Sequence, residues 1–423
     1  MKKAVSLMLT VSMCAAALAA CGGSSSSATT AAASGSTAAA AAESGAASTE
    51  ASGAKSDFKA GFIFLHDENS TYDKNFMEGA KAACDKLGVE MVQKTNIPEG
   101  QECYDAAAEL ADSGCGFVFA DSFGHEDYVL QAAQEFPDVQ FSHATGTQAH
   151  TAGVDNFHNA FASIYEGRYL AGVAAGMKLN EMIKDGKITA DQAKIGYVGA
   201  FTYAEVISGY TSFFLGARSE CPTATMDVTF TGSWYDETAE KEAANNLINE
   251  GCVLISQHAD SMGAPTACEA AGVPDVSYNG STVDACPNTF IVSSRINWEP
   301  YFEYAITAAM KGEPIDTDWT GDLSTGSVVL TDVNPKAAAE GTQEEIDKVK
   351  GELENGSLHV FDTSKFTVDG KEVTSYMADV DTDPNYEGDT EAVSDGYFHE
   401  SEYRSAPYFD LKIDGINLLD TKS

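Results

Sequence analysis

Aromatic and hydrogen-bonding side chains recur together along this chain, each group after a short apolar run. Tyr72 is followed by Asp73, and one residue separates His258 from Asp260. Aromatic rings can cover the faces of a flat heterocycle, while carboxyl, amide or imidazole groups hydrogen-bond its polar edge or an attached sugar. The pattern therefore predicts a binding site for a flat organic ring. The residues assigned to this site are Tyr72, Asp73, Phe123, His143, Phe201, Trp234, His258, Asp260, Asn279 and Trp298.

Acid–base or metal chemistry is the alternative use of these side chains. His66, His143, His258 and Asp260 are of types that transfer protons or ligate metals. The chain has no HExxH, GxSxG, P-loop or GxGxxG motif to support either role. We therefore expect no enzymatic activity, no cofactor and no metal site, with a surface nucleoside hydrolase as a remote alternative.

The elements that must position these residues begin at Phe58. Apolar strand-like runs, such as residues 60–65, 116–120 and 139–143, alternate with stretches that carry apolar residues at helical spacing. A second set of the same kind follows. Such alternation predicts an α/β fold of two doubly wound lobes, each a parallel sheet with helices on both faces. Ligands of such sheets bind beyond the carboxyl ends of the strands, so the site residues should meet in the cleft between the lobes.

The predicted domain boundaries follow from the same alternation. Lobe 1 comprises residues 58–157 and 294–340, and lobe 2 comprises residues 158–293. Residues 341–423 become acidic and weakly periodic, but they contain too many aromatic side chains for a disordered tail. We expect them to form an ordered C-terminal extension that packs on lobe 1.

The first 57 residues have the composition of an export and anchoring segment. Residues 1–20 carry two lysines before a short apolar run that ends in small residues, which is typical of a secretory signal peptide. Cys21 follows at once, and this ending resembles a bacterial lipobox, so Cys21 is the predicted lipidation site. The alternative is an ordinary signal peptide cut near Ala20. Residues 21–57 are mostly Ser, Ala, Gly and Thr and predict a flexible linker. We expect a lipid-anchored protein on the extracytoplasmic face of the cell membrane.

Charge and cysteine content restrict the partners. The formal net charge is −39, which repels nucleic-acid phosphates and argues against a nucleic-acid partner. Beyond Cys14 and Cys21 there are seven cysteines, without CxxC or Cys/His ligand spacing. Structural zinc is not expected, while one or two disulfides and a set of buried thiols both stay open. We expect a monomer.

Seven short segments carry a family resemblance. They are residues 121–124, 135–146, 165–176 (which read Tyr-Glu-Gly-Arg-Tyr-Leu-Ala-Gly-Val-Ala-Ala-Gly), 194–199, 232–236, 257–261 and 297–301. In these segments the chain resembles the basic-membrane-protein (BMP), or PnrA-like, family of solute-binding lipoproteins of ABC importers. It is most similar to the branch associated with purine nucleobases and nucleosides.

The resemblance implies two Rossmann-like lobes joined by hinge strands, as in type I periplasmic binding proteins. The base would lie between aromatic rings, and carboxylates or amides of both lobes would hold its edge or ribose. By position, Tyr72 corresponds to the first-lobe stacking residue. Phe201 and Trp234 correspond to the second-lobe wall. The positions of the family's polar contacts hold His258, Asp260 and Asn279, the last where the family has an aspartate.

The resulting prediction is a receptor that captures a purine nucleoside or nucleobase in the interlobe cleft and delivers it to an ABC permease and its ATPase. Ligand contacts with both lobes would favour a closed form. The first alternative is a receptor of the same fold for a simple sugar or another flat heterocycle such as a flavin. A signalling lipoprotein, whose ligand reports to a sensor, is a further alternative.

Overall fold

The computed structural model describes residues 57–380 and 388–419. The predicted signal peptide, Cys21 and nearly all of the predicted linker lie outside these residues. The described helices are α1 Thr71–Leu87, α2 Gln101–Asp112, α3 Glu126–Glu135, α4 Ala149–Ala152, α5 Ile164–Lys184, α6 Ala204–Glu220, α7 Glu237–Asn249, α8 Gly263–Ala271, α9 Glu299–Lys311 and α10 Thr342–Glu354.

Within the described residues, the strands fall into two large sheets and two short ribbons. They are β1 Lys59–Ile63, β2 Glu90–Lys94, β3 Cys115–Ala120, β4 Gln140–Ala144, β5 Phe157–Ala162, β6 Lys194–Gly199, β7 Thr225–Phe230, β8 Leu254–Gln257, β9 Asp275–Tyr278, β10 Phe290–Ile296, β11 Asp318–Gly321, β12 Val328–Leu330, β13 Met377–Ala378, β14 Thr390–Glu391, β15 Val393–Ser394, β16 Tyr397–Phe398 and β17 Ile416–Leu418.

Each large sheet is the centre of one lobe. The lobe 1 sheet has the order β11-β5-β4-β3-β1-β2, with parallel pairing throughout. The lobe 2 sheet has the order β12-β10-β9-β8-β6-β7-β17, in which only β12 is antiparallel to its neighbour. This architecture confirms the predicted α/β class of two doubly wound lobes.

Helices cover both faces of the lobe 1 sheet, which explains why its strands are apolar without alternation. Phe62 and Phe119 pack in one buried cluster with residues of α1 and α9. Ile63 follows Phe62 in β1, and Val118 precedes Phe119 in β3. Both pack in a second cluster with residues of α2 and α3. Successive side chains of a strand point to opposite faces, so both faces need apolar residues.

Between Asp57 and the C-terminal extension, the chain passes between the lobes three times. It leaves lobe 1 between β5 and α5, returns between β10 and α9, and passes again between β11 and β12. These crossings differ from the predicted boundaries, because residues 158–162 belong to the lobe 1 sheet and residues 294–296 and 328–330 to the lobe 2 sheet. Strand β5 is buried throughout and continues almost directly into α5, so residue pattern alone did not separate the two elements.

Lobe 2 is built on two helices whose backbones touch. A Cβ atom added at Gly172 of α5 would lie 2.0 Å from the backbone oxygen of Phe213 in α6. One added at Gly216 of α6 would lie 2.0 Å from the backbone oxygen of Tyr169 in α5. Only glycine permits this approach, which holds α5 and α6 together beneath the lobe 2 sheet.

The C-terminal extension contacts both lobes, which corrects the prediction that it packs on lobe 1. Strand β17 is the outer strand of the lobe 2 sheet, beside β7. Elsewhere the backbone nitrogen of Ser405 donates to both carboxylate oxygens of Asp318 in the lobe 1 sheet, at 3.1 and 3.2 Å. Sequence periodicity gave no sign of β17, because a three-residue edge strand is too short to show a pattern.

The seven cysteines of the described residues are free and buried. Burial raises the pKa of Cys84 and Cys252 to about 12, so these thiols stay protonated and unreactive at neutral pH. The alternative of buried thiols is therefore the one observed. Among the described helices, none is both long and apolar enough to cross a membrane.

Candidate ligand site between the lobes

A narrow cavity with an empty volume of about 350 Å³ lies where the carboxyl ends of the two sheets face each other. We call it the slot. Loops after β1, β3 and β4 supply its lobe 1 wall, and the segments after β6, β7 and β8 supply its lobe 2 wall. Its lining residues are Leu65, His66, Tyr72, Asp73, Ser122, Phe123, Thr145, Glu205, Trp234, His258 and Asp260.

The start of α1 places Tyr72 and Asp73 at the slot. Ser70 caps the helix by accepting a hydrogen bond from the Asp73 backbone nitrogen at 3.2 Å, and its hydroxyl donates to Asp73 Oδ2 at 2.6 Å. The backbone nitrogen of His66 donates to Asp73 Oδ1 at 2.7 Å, and His66 Nδ1 lies 3.2 Å from Oδ2. Burial alone would raise the pKa of Asp73, but the hydrogen bonds from His66 and Ser70 outweigh it and leave the pKa below its ordinary value. Asp73 is therefore an ionised, fixed acceptor.

A second carboxyl group, Asp121, lies directly behind Tyr72 and Asp73. The Tyr72 hydroxyl donates to the Asp121 backbone oxygen at 2.8 Å, which fixes the orientation of the Tyr72 ring. Asp121 Oδ1 accepts from the backbone nitrogen of Leu65 at 3.1 Å, and Oδ2 is buried without a hydrogen-bond partner. Burial and the neighbouring charge of Asp73 raise the pKa of Asp121 well above its ordinary value. Asp121 therefore supports the slot as a neutral group.

On the lobe 2 side, buried Arg168 fixes the hydrogen-bonding state of His258. Arg168 Nη2 lies 3.0 Å from His258 Nδ1, and the guanidinium carbon lies 3.3 Å from the centroid of the Tyr278 ring. Arginine can only donate, so His258 Nδ1 must accept and the imidazole proton sits on Nε2. That nitrogen lies 3.4 Å from Glu205 Oε1. Burial also lowers the pKa of His258 and keeps the ring neutral.

Asp260 is one of two carboxyl groups that lobe 2 brings to the slot, the other being Glu205. Its Oδ1 accepts from Asn279 Nδ2 at 3.3 Å, and Asn279 has the left-handed backbone conformation (φ 67°). Burial, followed by the charge of Asp73, raises the pKa of Asp260 well above its ordinary value. The slot therefore combines an ionised carboxylate on one side with a carboxyl group that can hold a proton on the other.

The lobes are in contact around this slot, as in a closed form. The backbone nitrogen and the hydroxyl of Thr71 both donate to the Asp260 backbone oxygen at 3.1 Å. Phe123 of lobe 1 stacks on Tyr203 of lobe 2 with ring centroids 5.1 Å apart. These contacts join residues that belong to different lobes, so separating the lobes would break them.

The structure brings six of the ten predicted site residues to the slot: Tyr72, Asp73, Phe123, Trp234, His258 and Asp260. Two others support them from behind. The Phe201 ring meets Trp234 edge-on at 4.9 Å, and Asn279 holds Asp260 as described above.

His143 and Trp298 lie away from the slot, contrary to their predicted positions. His143 is fully buried, with Nε2 2.6 Å from the Ser122 backbone oxygen, so it positions that loop. Trp298 stacks on Phe76 at 4.3 Å inside the lobe 1 core. His143 is the penultimate residue of β4 and Trp298 lies two residues after β10, but both side chains are buried inside lobe 1.

Sequence reasoning did not single out Glu205 or Arg168. Glu205 follows β6 at the start of α6, the same kind of position that drew attention to Phe201. Arg168 lies in the matched segment 165–176 but reads as one polar residue on a buried helix. Among the described residues, no group of three or more His, Cys, Asp or Glu side chains is arranged to hold a metal ion.

Comparison with known families gives one match over most of the chain. The family described as "ABC transporter substrate-binding protein PnrA-like" matches residues 64–357. This range includes every residue that lines the slot. It ends before most of the C-terminal extension.

Two curated relatives are named after different ligands. A purine-binding protein of Brucella abortus is 33% identical over 267 residues, covering 62% of this chain and 71% of that protein. A putative ABC transporter glucose-binding protein of Haloferax volcanii is 31% identical over 259 residues, covering 61% of this chain and 62% of that protein.

Solved structures share the fold at low sequence identity. A solute-binding protein of an ABC transporter system from Conexibacter woesei matches with a TM-score of 0.59 and 20% identity, covering 71% of this chain and 98% of its own. One from Aeropyrum pernix matches with a TM-score of 0.60 and 16% identity, covering 72% of this chain and 93% of its own. These similarities concern the fold alone.

Proposed function

Since the chain belongs to the PnrA-like family of ABC transporter substrate-binding proteins, we propose that its ligand is a purine nucleobase or nucleoside, held in the slot. Proteins of this family bind a small molecule outside the cytoplasm and pass it to a permease. Binding and release, rather than catalysis, is the role of such a protein. The purine assignment rests on the slot itself and on the purine-binding relative.

The observation that carries the proposal is the pairing of aromatic rings and carboxyl groups from both lobes around one narrow slot. Tyr72 and Phe123 line it from lobe 1, and Trp234 lines it from lobe 2. A purine is flat and apolar on its faces, and its edge alternates hydrogen-bond donors and acceptors. Ionised Asp73 can accept from a purine N–H group. Asp260, whose pKa is raised, can either accept or donate.

The same arrangement supports a closing mechanism. A ligand that touches Asp73 and Asp260 interacts with both lobes only when they are close together. Its affinity for the closed form therefore exceeds that for an open form, and binding shifts the population toward closure. The contacts of Thr71 with Asp260 add to the closed form.

We further propose that the protein is held at the outer face of the cell membrane through lipid on Cys21, because the residues around it match a lipobox. The Ser-, Ala- and Gly-rich residues 22–56 would act as a tether. A tether confines the receptor near its permease and raises its effective concentration there.

A simple sugar is the second candidate ligand. Carboxyl groups also hydrogen-bond sugar hydroxyls, and the slot has three, Asp73, Glu205 and Asp260. The Haloferax volcanii relative named as a putative glucose-binding protein supports this candidate. Three aromatic side chains in so narrow a cavity favour the flat purine.

Calorimetric titration of the purified chain without its first 56 residues separates the candidates. We expect heats of binding with adenine, adenosine, guanosine or inosine, and none with glucose or ribose. Binding of a sugar without binding of any purine would replace the proposal by the second candidate. Release of free base during incubation with a nucleoside would instead indicate a hydrolase.

A further inference from the structure

A serine, a histidine and a glutamate of the C-terminal extension are joined in one chain of hydrogen bonds. Ser394 Oγ lies 2.7 Å from His399 Nε2, and Glu402 Oε2 lies 2.8 Å from His399 Nδ1. An ionised carboxylate can only accept, so a neutral imidazole here carries its proton on Nδ1 and accepts from the serine hydroxyl at Nε2. Hydrolases activate a serine nucleophile through this order of hydroxyl, imidazole and carboxylate.

The hairpin of β15 and β16 explains why Ser394 meets His399. Ser394 pairs with Tyr397, and a further backbone hydrogen bond from His399 continues the ladder. Side chains two residues apart along a strand share a face, so the side chains of Ser394, Tyr397 and His399 lie on one face of the hairpin. Asp395 and Gly396 form its two-residue turn, with φ of 51° and 89°. Local backbone geometry therefore brings the serine to the imidazole.

A second turn brings Glu402 back to the other side of the imidazole. Ser401, between His399 and Glu402, has a φ of 57°, which few residues other than glycine adopt. Such backbone conformations are concentrated at functional sites. The His399 ring is buried, whereas Ser394 is exposed, so the base is held in place and the nucleophile is open to a substrate.

Two backbone N–H groups beside Ser394 are available to a developing negative charge. No described residue accepts a hydrogen bond from the backbone nitrogen of Asp395 or of Gly396. In acyl transfer, backbone N–H groups next to the nucleophile stabilise the oxyanion of the tetrahedral intermediate. One tight turn thus supplies the nucleophile and the candidate oxyanion donors.

The surroundings of Ser394 favour an uncharged substrate. The carboxylates of Asp395, the next residue in the chain, and of Glu402 repel an anion. The Tyr397 ring lies on the same face as Ser394 and stacks on the His359 ring with centroids 3.7 Å apart. These rings offer an apolar surface beside the nucleophile, against which an acyl chain can pack.

From this geometry we propose that Ser394, His399 and Glu402 form an acyl-transfer site that hydrolyses uncharged carboxylic esters. Ser394 Oγ bonds to the ester carbonyl carbon while its proton passes to His399 Nε2. The bond to the alcohol oxygen then breaks, and the departing alcohol takes that proton. Water attacks the acyl-serine through the same proton relay, which releases the carboxylic acid and restores the serine hydroxyl.

This site is separate from the slot. All three residues lie beyond the family match, which ends at residue 357, and none of them lines the slot. The inference therefore assigns a second activity to the C-terminal extension and does not rest on the proposed function.

The test treats the purified full chain with a fluorophosphonate probe and, separately, with p-nitrophenyl butyrate. The probe forms a bond between phosphorus and the oxygen of an activated serine and releases fluoride, and peptide mass spectrometry identifies the labelled residue. The variants are Ser394→Ala, His399→Gln and Glu402→Gln. Ser364→Ala, at an exposed serine of the same extension, is the matched control.

We expect the wild type to be labelled at Ser394 and to hydrolyse the ester. Ser394→Ala should abolish both reactions, and His399→Gln should slow both about 100-fold or more. Glu402→Gln should slow both as well, because glutamine can donate to Nδ1 and leave the imidazole proton on Nε2. Ser364→Ala should match the wild type. Thermal unfolding checks that each variant is folded, and Glu402→Gln changes an exposed side chain.

Any of three results would overturn the inference. The first is a wild type that is not labelled at Ser394 or does not hydrolyse the ester. The second is an unchanged labelling rate in both His399→Gln and Glu402→Gln. The third is ester hydrolysis that Ser394→Ala retains in full. None of these results bears on purine binding in the slot, so failure of this inference leaves the proposed function standing.

Discussion

At the scale of residues, the buried Arg168 determines how His258 can meet a ligand. Its guanidinium occupies His258 Nδ1 and also donates to the Gln257 backbone oxygen at 2.9 Å. His258 therefore carries its proton on Nε2, which faces Glu205 Oε1 at 3.4 Å. A ligand must compete with Glu205 for this donor, while the Glu205 carboxyl group offers an acceptor beside it.

Trp234 is the residue whose loss should weaken purine binding most clearly. Trp234→Ala removes the lobe 2 indole from the slot, and we expect a loss of roughly 1–3 kcal/mol, about 5- to 150-fold in the dissociation constant, because base stacking is lost. Calorimetry with adenosine measures it.

The same substitution at Trp319 is the control for Trp234→Ala. Trp319 packs on Tyr301 at 4.9 Å, away from the slot, so Trp319→Ala should lower thermal stability and leave the affinity as it is. Equal affinities of Trp234→Ala and wild type would remove Trp234 from the binding site.

Whether the sequence alone identifies a residue of the site depends on that residue's neighbours in space. Trp234 and Asp260 follow strand ends and point into the cleft, as the topology rule requires. Trp298 follows a strand end too, but it packs against Phe76 in the core. The direction of a side chain after a strand depends on the loop conformation, which residue order does not reveal. Arg168 was out of reach because its role depends on contacts some 90 residues away.

At the scale of elements, α5 and α6 form the rigid base of lobe 2 that carries both Arg168 and Glu205. Their close approach depends on glycines at the contact, as the short Cβ distances at Gly172 and Gly216 show. Any change in this packing moves Arg168 relative to Glu205 and so changes the lobe 2 wall of the slot.

Gly216→Ala should destabilise the protein, by about 1–3 kcal/mol or more, because its methyl group collides with backbone atoms that cannot yield without separating the helices. Gly351→Ala in α10 is the matched control, since nothing lies within 4 Å of the added Cβ. It should stabilise the protein by about 0.5–1 kcal/mol through helix propensity. Chemical denaturation measures both, and the same effect in both variants would contradict the contact.

The elements and most of their assignments to lobes were predictable from sequence, whereas the points at which the chain crosses between the lobes were not. Apolar runs mark strands such as β3 and β6 because both faces of a parallel sheet are covered. Strand β5 was merged with α5 because the two are nearly continuous and equally buried. Strand β17 depends on pairing with β7, about 190 residues earlier, and no local pattern encodes such a contact.

At the scale of the whole molecule, the C-terminal extension links the two lobes beside the cleft. It is bonded to Asp318 in lobe 1 and to β7 in lobe 2. If the lobes separate, the attachments of the extension to Asp318 and to β7 must either both be preserved or be broken. The extension thus limits one side of the cleft.

Anchoring and ligand binding should be separable in this chain. Cys21→Ser removes the proposed lipid attachment, so we expect the protein to appear in the culture medium with unchanged affinity for adenosine. Fractionation of cells followed by calorimetry on the released protein checks both points. Retention of the variant on the membrane, or loss of adenosine binding, would contradict the proposed division between anchor and receptor.

The most direct measurement is a crystal structure of the chain grown with adenosine. We predict the base in the slot, in contact with Trp234 and within hydrogen-bonding distance of Asp73 or Asp260. Adenosine bound elsewhere, or an empty slot at saturating adenosine, would contradict the claim that this cleft is a purine site.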